Sequence, residues 1–236
     1  MESRGLFGMV VAAALVAGCA SQQASMPDAP EQGDPNYFKV RDSMADEVYV
    51  TDDISRRGWF DDVRRVYIAP TDTSQMQIIQ PAGVRTGTPE AWEIDDEEET
   101  VLQKTFLREM TRAMEADQAF HIVGGADEGQ AVLYSTVIAI HPYQTKAQAE
   151  DGARVGGAVT MSFALVDPSD GEVVIRAIDT KSTDDIWAFD NIQDDRDAID
   201  LIFDAWGHQV RRSLLFMQGR LDAVPTPVLL KRQRTN

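Results

Sequence analysis

The stretch Gly157-Ala158-Val159-Thr160-Met161-Ser162-Phe163-Ala164-Leu165-Val166-Asp167-Pro168-Ser169-Asp170-Gly171-Glu172-Val173-Val174-Ile175-Arg176-Ala177-Ile178-Asp179-Thr180 decides the fold. Val159, Met161, Phe163 and Leu165 recur at every second position, the period of a strand with one buried face. Pro168-Ser169-Asp170-Gly171 supplies turn chemistry, and Glu172 to Thr180 returns as the antiparallel partner.

Upstream, Gln130 to His141 alternates in the same way. The pattern predicts Val132, Tyr134, Thr136, Ile138 and Ile140 on one face and Leu133, Val137 and Ala139 on the other. Both sets are apolar, as expected of a strand inside a sheet. Ala119 to Val123 is a further short strand, ended by Gly124-Gly125. Arg64 to Ala69 is β-branched and aromatic and stops at Pro70. Between Thr71 and Glu93 the chain is polar and rich in turn residues, with no predicted element.

Two helices frame these strands. Asp95-Asp96-Glu97-Glu98-Glu99 opens the first, where carboxylates suit the positive end of the helix dipole. Its stripe is Leu102, Phe106, Met110, Ala113 and Met114, at spacings of three and four. Asp195 to Gly219 forms the second, with Ile199, Ile202, Phe203, Trp206, Val210 and Leu214 as its stripe and Gly219 as its stop. These elements predict an α+β domain of order β-α-β-β-β-β-α. A mostly antiparallel sheet of about five strands carries both helices on one face, and the first strand-helix-strand unit crosses over right-handed.

The beginning of the chain reads differently. Arg4 precedes the apolar run Leu6 to Leu15, and Val16-Ala17-Gly18-Cys19 follows. A basic start, a short apolar core and small residues before a processing point make a secretory signal peptide over residues 1–18. The run is too short for the ~20 apolar residues of a membrane-spanning helix. Cys19 is the chain's single cysteine, so no intrachain disulfide forms. Residues 19–43 read as the processed N-terminus and a flexible linker rich in Ser, Gln, Ala, Pro and Asp. A single α/β domain covers 44–220, and 221–236 is a C-terminal tail ending in the basic Lys231-Arg232-Gln233-Arg234. The formal net charge is −17, and the cancelling Glu2 and Arg4 leave it unchanged after processing. An acidic balance of this size excludes a nucleic-acid binder, which needs a basic footprint.

Val16-Ala17-Gly18-Cys19 resembles the lipobox of bacterial lipoproteins, in which the cysteine is acylated and becomes the first mature residue. The resemblance implies lipidation (palmitate) at Cys19. Ala20, in the place where aspartate marks inner-membrane retention, implies anchoring at the outer membrane, facing the periplasm. With the hairpin Leu165-Val166-Asp167 through Gly171-Glu172-Val173, the chain also resembles uncharacterised cell-envelope lipoproteins grouped as a domain of unknown function. The layout is similar to the N-terminal domain of the Tol-system periplasmic protein. No catalytic residue, cofactor or metal is implied by either resemblance.

The candidate sites are few. His121, His141 and His208 match no zinc spacing. Asp167 to Glu172 lacks the alternating acids and distal glutamate of an EF-hand loop. Gly152, Gly156 and Gly157 beside Arg154 do not open a helix as a phosphate loop does. Asp184-Asp185 and Asp194-Asp195 are acidic pairs at loop and helix-start positions. Trp187 and Phe189 stand among aspartates between the last strand and the last helix. They are the candidate partner-binding loop, because aromatics dominate interface energetics. Trp59-Phe60 gives a weaker signal of the same kind. The function expected is a non-enzymatic binding or structural module of the cell envelope, with an envelope protein or polymer as partner. A glycan hydrolase with paired carboxylates and a carrier of a small molecule or lipid are the alternatives.

Overall fold

A computed structural model describes residues 37–39, 45–51, 58–184, 186 and 196–221. In chain order these form β1 (Tyr37–Lys39), β2 (Glu47–Thr51), α1 (Trp59–Asp62), β3 (Arg65–Ile68), β4 (Gln77–Ile78), α2 (Asp96–Glu115), β5 (His121–Ile122), β6 (Ala131–Pro142), α3 (Lys146–Glu150), β7 (Gly157–Val166), β8 (Val173–Thr183) and α4 (Arg196–Met217). The strands lie in one sheet of order β1-β2-β8-β7-β6-β3-β5, with β4 also paired to β6.

This corrects the expected five strands and their order. The long strands β6, β7 and β8 are where the alternation placed them, antiparallel and adjacent. β1, β2 and β4 are additions, and β1 falls inside the stretch 19–43 that the sequence suggested as linker. Strands of two to five residues hold too little pattern to be read alone, and their geometry comes from the neighbour they pair with. β3 and β4 run parallel to β6 and continue one another along its edge. They are joined through a bridge between Asp72 and Thr136, inside the stretch Thr71–Glu93 that carried no predicted element.

A second correction concerns β6. Its register to β7 shifts between Val137 and Ala139, which leaves Ile138 as the extra residue of a bulge. A bulge puts two residues against one and exchanges the faces beyond it. Ile140 therefore joins Leu133 and Val137 in the main core, while Ala139 stays out of it.

The helices cover one face of the sheet, as the stripes predict. Asp95 caps α2: its side chain accepts from the Glu97 and Glu98 amides, and Glu98 accepts from the Asp95 amide in return. Arg108 pairs with Asp200, Arg112 with Asp204 and Arg211 with Asp117, so α2 and α4 run in the same direction. Their shared interior is aromatic. Phe106 stacks on Phe163 of β7 at 6.3 Å, and Trp206 meets Phe163 at 5.8 Å and Phe203 at 6.0 Å. The indole N–H of Trp206 donates to the buried Asp179 of β8 at 2.8 Å. Among the described residues no helix is long and apolar enough to cross a membrane.

Candidate functional site

The face of the sheet turned away from α2 and α4 is where side chains without a core role collect. Its own apolar cluster is small: Ala69, Val132, Ala164, Val166 and Val173, with Tyr67, Ala126 and Tyr134 against it. Among the described residues no helix contributes to that cluster. Directly opposed residues on neighbouring strands project to the same face. One such row runs Lys39, Tyr49, Arg176, Ala164, Tyr134 across five strands. The next runs Glu47, Ile178, Ser162, Thr136. Small residues on β7 between long ones on β8 and β6 make a trough along β7.

At the far end of β6 this face becomes exposed and apolar. Ile79 is 46% exposed, Tyr143 49% and Ile138 37%. The Ile79 amide donates to Ile140 O at 2.9 Å, which sets Ile79 beside His141. The His141 and Tyr143 rings meet edge to face at 5.2 Å, and the Tyr143 hydroxyl lies 3.3 Å from Ser182 Oγ. Backbone fixes this end: the Tyr143 amide donates to Gly156 O at 2.8 Å, and the Ile186 amide to Val155 O at 2.6 Å. The Ile186 side chain is fully buried against Gly157, where a Cβ would stand only 2.4 Å from it and 2.8 Å from His141 O. A glycine is required there because backbone and side chain crowd the same space.

Beyond Tyr143 the chain turns into α3, capped by Thr145, and Gln144 O accepts the indole N–H of Trp92 at 2.8 Å. The Lys146 ammonium lies 5.9 Å from the Trp92 ring, a cation–π contact. Val84, Arg85, Thr88, Glu90, Thr145 and Ala147 line an open cleft of about 300 Å³. The Glu90 carboxyl is held below its ordinary range by its own backbone N–H and then by the Thr88 hydroxyl, so it stays anionic. Hydroxyls, one cation and one anion around an open hollow suit reversible polar contact rather than enclosure of a ligand.

The charged groups on the helix side have a structural account. Glu109 is buried between Arg108 (2.7 Å) and Arg112 (2.5 Å), which reach on to Asp200 and Asp204. Hydrogen bonding raises both guanidinium pKa values, to Glu109 first for Arg108 and to Asp204 first for Arg112. His208 stands 3.5 Å from Asp204, and His121 lies elsewhere, beside Glu115. Among the described residues no group of three His, Cys, Asp or Glu is placed to hold a metal ion.

Of the residues singled out in the sequence, Cys19, Trp187 and Phe189 lie outside the described residues, as do Asp185, Asp194 and Asp195. Trp59-Phe60 is corrected: Phe60 is core, Trp59 packs against it, and their rings meet at 5.0 Å. Asp167 to Gly171 is the β7–β8 turn, closed by Asp167 N–H to Glu172 O and Gly171 N–H to Asp167 O. The exposed end of the helix-free face was missed. Its sequence signal was large apolar residues, Ile79 and Tyr143, standing in turn-rich segments where no stripe needs them.

No family model matches this chain, and no curated protein matches it. Among solved structures it is similar to a PelC dodecamer from Paraburkholderia phytofirmans, at 14% identity over 66% of this chain and 88% of that one, with a TM-score of 0.36. It is also similar to a DUF330 protein from Xanthomonas campestris (15% identity, 69% and 89% covered, TM-score 0.37). A lipoprotein from Neisseria meningitidis is similar at 11% identity, over 62% of this chain and 97% of that one, with a TM-score of 0.33.

Proposed function

We propose that the chain is a lipoprotein anchored through an acylated Cys19 to the outer membrane, and that its domain is a non-enzymatic module that holds an envelope partner. The partner is a protein or polymer and meets the end of the helix-free sheet face. The observation that carries the binding reading is the exposed Ile79, Ile138 and Tyr143, with half-buried His141 packed edge to face on Tyr143, at the strand ends. Apolar side chains in one place on a rigid scaffold are what an interface uses. The anchoring reading rests on the basic start, the apolar run and the single cysteine at its end. Several acyl chains on one residue hold a protein at a membrane where a single chain binds only marginally.

Two experiments test the two halves. Cys19→Ser should abolish incorporation of labelled palmitate and release the protein from membranes. Sedimentation of that variant with the outer membrane after a salt wash would overturn the anchoring. For the interface, a photo-crosslinking amino acid is placed at Ile79 in intact cells, and at Leu201 on the opposite, helix-bearing side. A discrete adduct is expected at Ile79, absent at Leu201 and lost on Tyr143→Ser, with the melting of that variant nearly unchanged. Equal adducts at both positions, or loss of folding in Tyr143→Ser, would overturn the interface.

A further inference from the structure

The C-terminal ends of α2 and α4 meet the start of β3 at one pole of the domain, and three arginines gather there in a chain of net charge −17. Gln218 Nε2 donates to Phe60 O and Val63 O, both at 2.8 Å, and Gln218 Oε1 accepts from Arg220 Nη1 at 3.1 Å. Arg64 Nη1 donates to the same Val63 O at 2.8 Å, so one amide side chain ties Arg64 to Arg220. Arg220 Nη1 also donates to Ala119 O at 3.3 Å, and Asp117 accepts from Arg211 Nη2 at 2.7 Å. The turn that presents Asp117 and Ala119 O is strained. Asp117 and Gln118 both stand at a φ of 55°, a left-handed conformation that non-glycine residues hold only at a cost.

Helix-end carbonyls account for part of this gathering, since cations suit the negative end of a helix dipole. They leave donors over. Arg64 and Arg220 are exposed, and among the described residues neither pairs with a carboxylate. Arg211 Nε is buried and meets no acceptor. Burial first, then the charges of Arg64 and Arg211, hold the Arg220 pKa below its ordinary value, so these cations repel one another.

We propose that this pole binds one phosphate group, bridged by the spare guanidinium donors of Arg64 and Arg220, with Arg211 supplying a third charge. A phosphate monoester carries close to two negative charges and three strong acceptor oxygens, enough to answer several guanidinium forks at once. A carboxylate answers one, as Asp117 does with Arg211. The site lies at the opposite end of β6 from Ile79 and Tyr143, so it stands whether or not that end holds a partner and whether or not Cys19 is acylated.

The test titrates the whole chain, purified in detergent, with inorganic phosphate at constant ionic strength while arginine Nε–H and backbone amide signals are followed. Signals of Arg64, Arg220 and Ala119 should shift and saturate, and acetate at the same concentrations should leave them in place. Arg64→Gln and Arg220→Gln should each weaken binding by about tenfold, with melting unchanged. Arg220→Lys keeps the charge but loses the fork and should fall between. Arg65→Gln removes a cation that projects to the other face of β3 and should change the affinity by less than about twofold. Glucose 1-phosphate separates the sources. Affinity at least equal to that of inorganic phosphate supports a phosphate monoester as the ligand, and weaker affinity supports the free ion. Shifts that never saturate, that acetate reproduces, or that persist in Arg64→Gln and Arg220→Gln overturn the site. Shifts with phosphatidylglycerol vesicles and none with inorganic phosphate would make the pole a membrane contact and overturn it too.

Discussion

Gly207 stands where α4 lies against α2: a Cβ there would be 2.5 Å from Ala113 Cβ and 3.3 Å from Met110 Cα. In a free helix, glycine to alanine gains about 1 kcal/mol. Here the added methyl must push two backbones apart, and overpacking of this kind costs roughly 1–3 kcal/mol. Gly207→Ala should therefore destabilise in denaturant melts, and adding Ala113→Gly should recover part of the loss. Phe106→Ala and Trp206→Ala should each cost about 3–5 kcal/mol, since both rings are fully buried. Trp206→Phe separates packing from hydrogen bonding. The ring stays against Phe163 while Asp179 loses the indole donor, so a loss of roughly 1–3 kcal/mol remains. A neutral Trp206→Phe would mean that Asp179 is satisfied by Lys181, 3.0 Å away, and by the Asp46 amide.

The elements are held by caps and by one charged seam. Asp95→Ala removes the carboxylate that accepts from the Glu97 and Glu98 amides, leaving only the Glu98 half of the α2 capping box, and should cost about 1 kcal/mol. Arg108 and Arg112 are half to two-thirds exposed, so either single alanine should cost no more than ~1 kcal/mol. Together the two substitutions leave Glu109 buried without a cation, and the loss should rise to roughly 3–5 kcal/mol, well above the sum. A double-mutant cycle measures this excess, and simple additivity would refute the coupling. On β1 and β2, Lys39 donates to Glu47 at 2.6 Å, and the Tyr49 hydroxyl donates to the same carboxylate. These contacts, Lys39 first, hold the Glu47 carboxyl below its ordinary range, and Glu47 raises Lys39. A depressed carboxylate contributes above its unfolded pKa and is lost as pH falls through the folded value. A raised ammonium contributes below its unfolded pKa and is lost as pH rises through the folded value. Tyr49 ring resonances should thus stay constant at neutral pH and shift in acid, below the ordinary glutamate range. Glu47→Gln should abolish the acid shift.

At the scale of the whole molecule, the sheet is closed on one side by its most N-terminal strands. β1 and β2 cover the β8 edge, with Glu47 to Val50 paired to Ile178 back to Ile175. Removing residues 20–51 would bare that edge while leaving the β6–β7–β8 sheet and both long helices intact. A bared edge is a template for pairing with another chain. Light scattering should show self-association of the shortened protein where the full chain is monodisperse, and a monodisperse shortened protein would mean that β8 protects its own edge.

What the sequence by itself determined is what sequence-local physics can carry. The stripes of α2 and α4 and the alternation of β7 and β8 named the buried residues, because periodicity over ten or more residues outweighs local exceptions. Asp95, the Pro168–Gly171 turn and Gly219 were legible for the same reason: caps and turns are chemistry between neighbours. The tertiary structure alone decided the rest. β1, β2 and β4 exist because a longer strand offers them hydrogen bonds, which no pattern of two to five residues announces. The bulge at Ile138 moved Ile140 into the core, and a single inserted residue leaves no mark in a run that is apolar on both faces. Phe60 became core with Trp59 packed against it, and Ile79 and Tyr143 became surface, for one reason. Burial is a relation to what packs on top, and only the placement of α1, α2 and α4 settled which face of the sheet was covered.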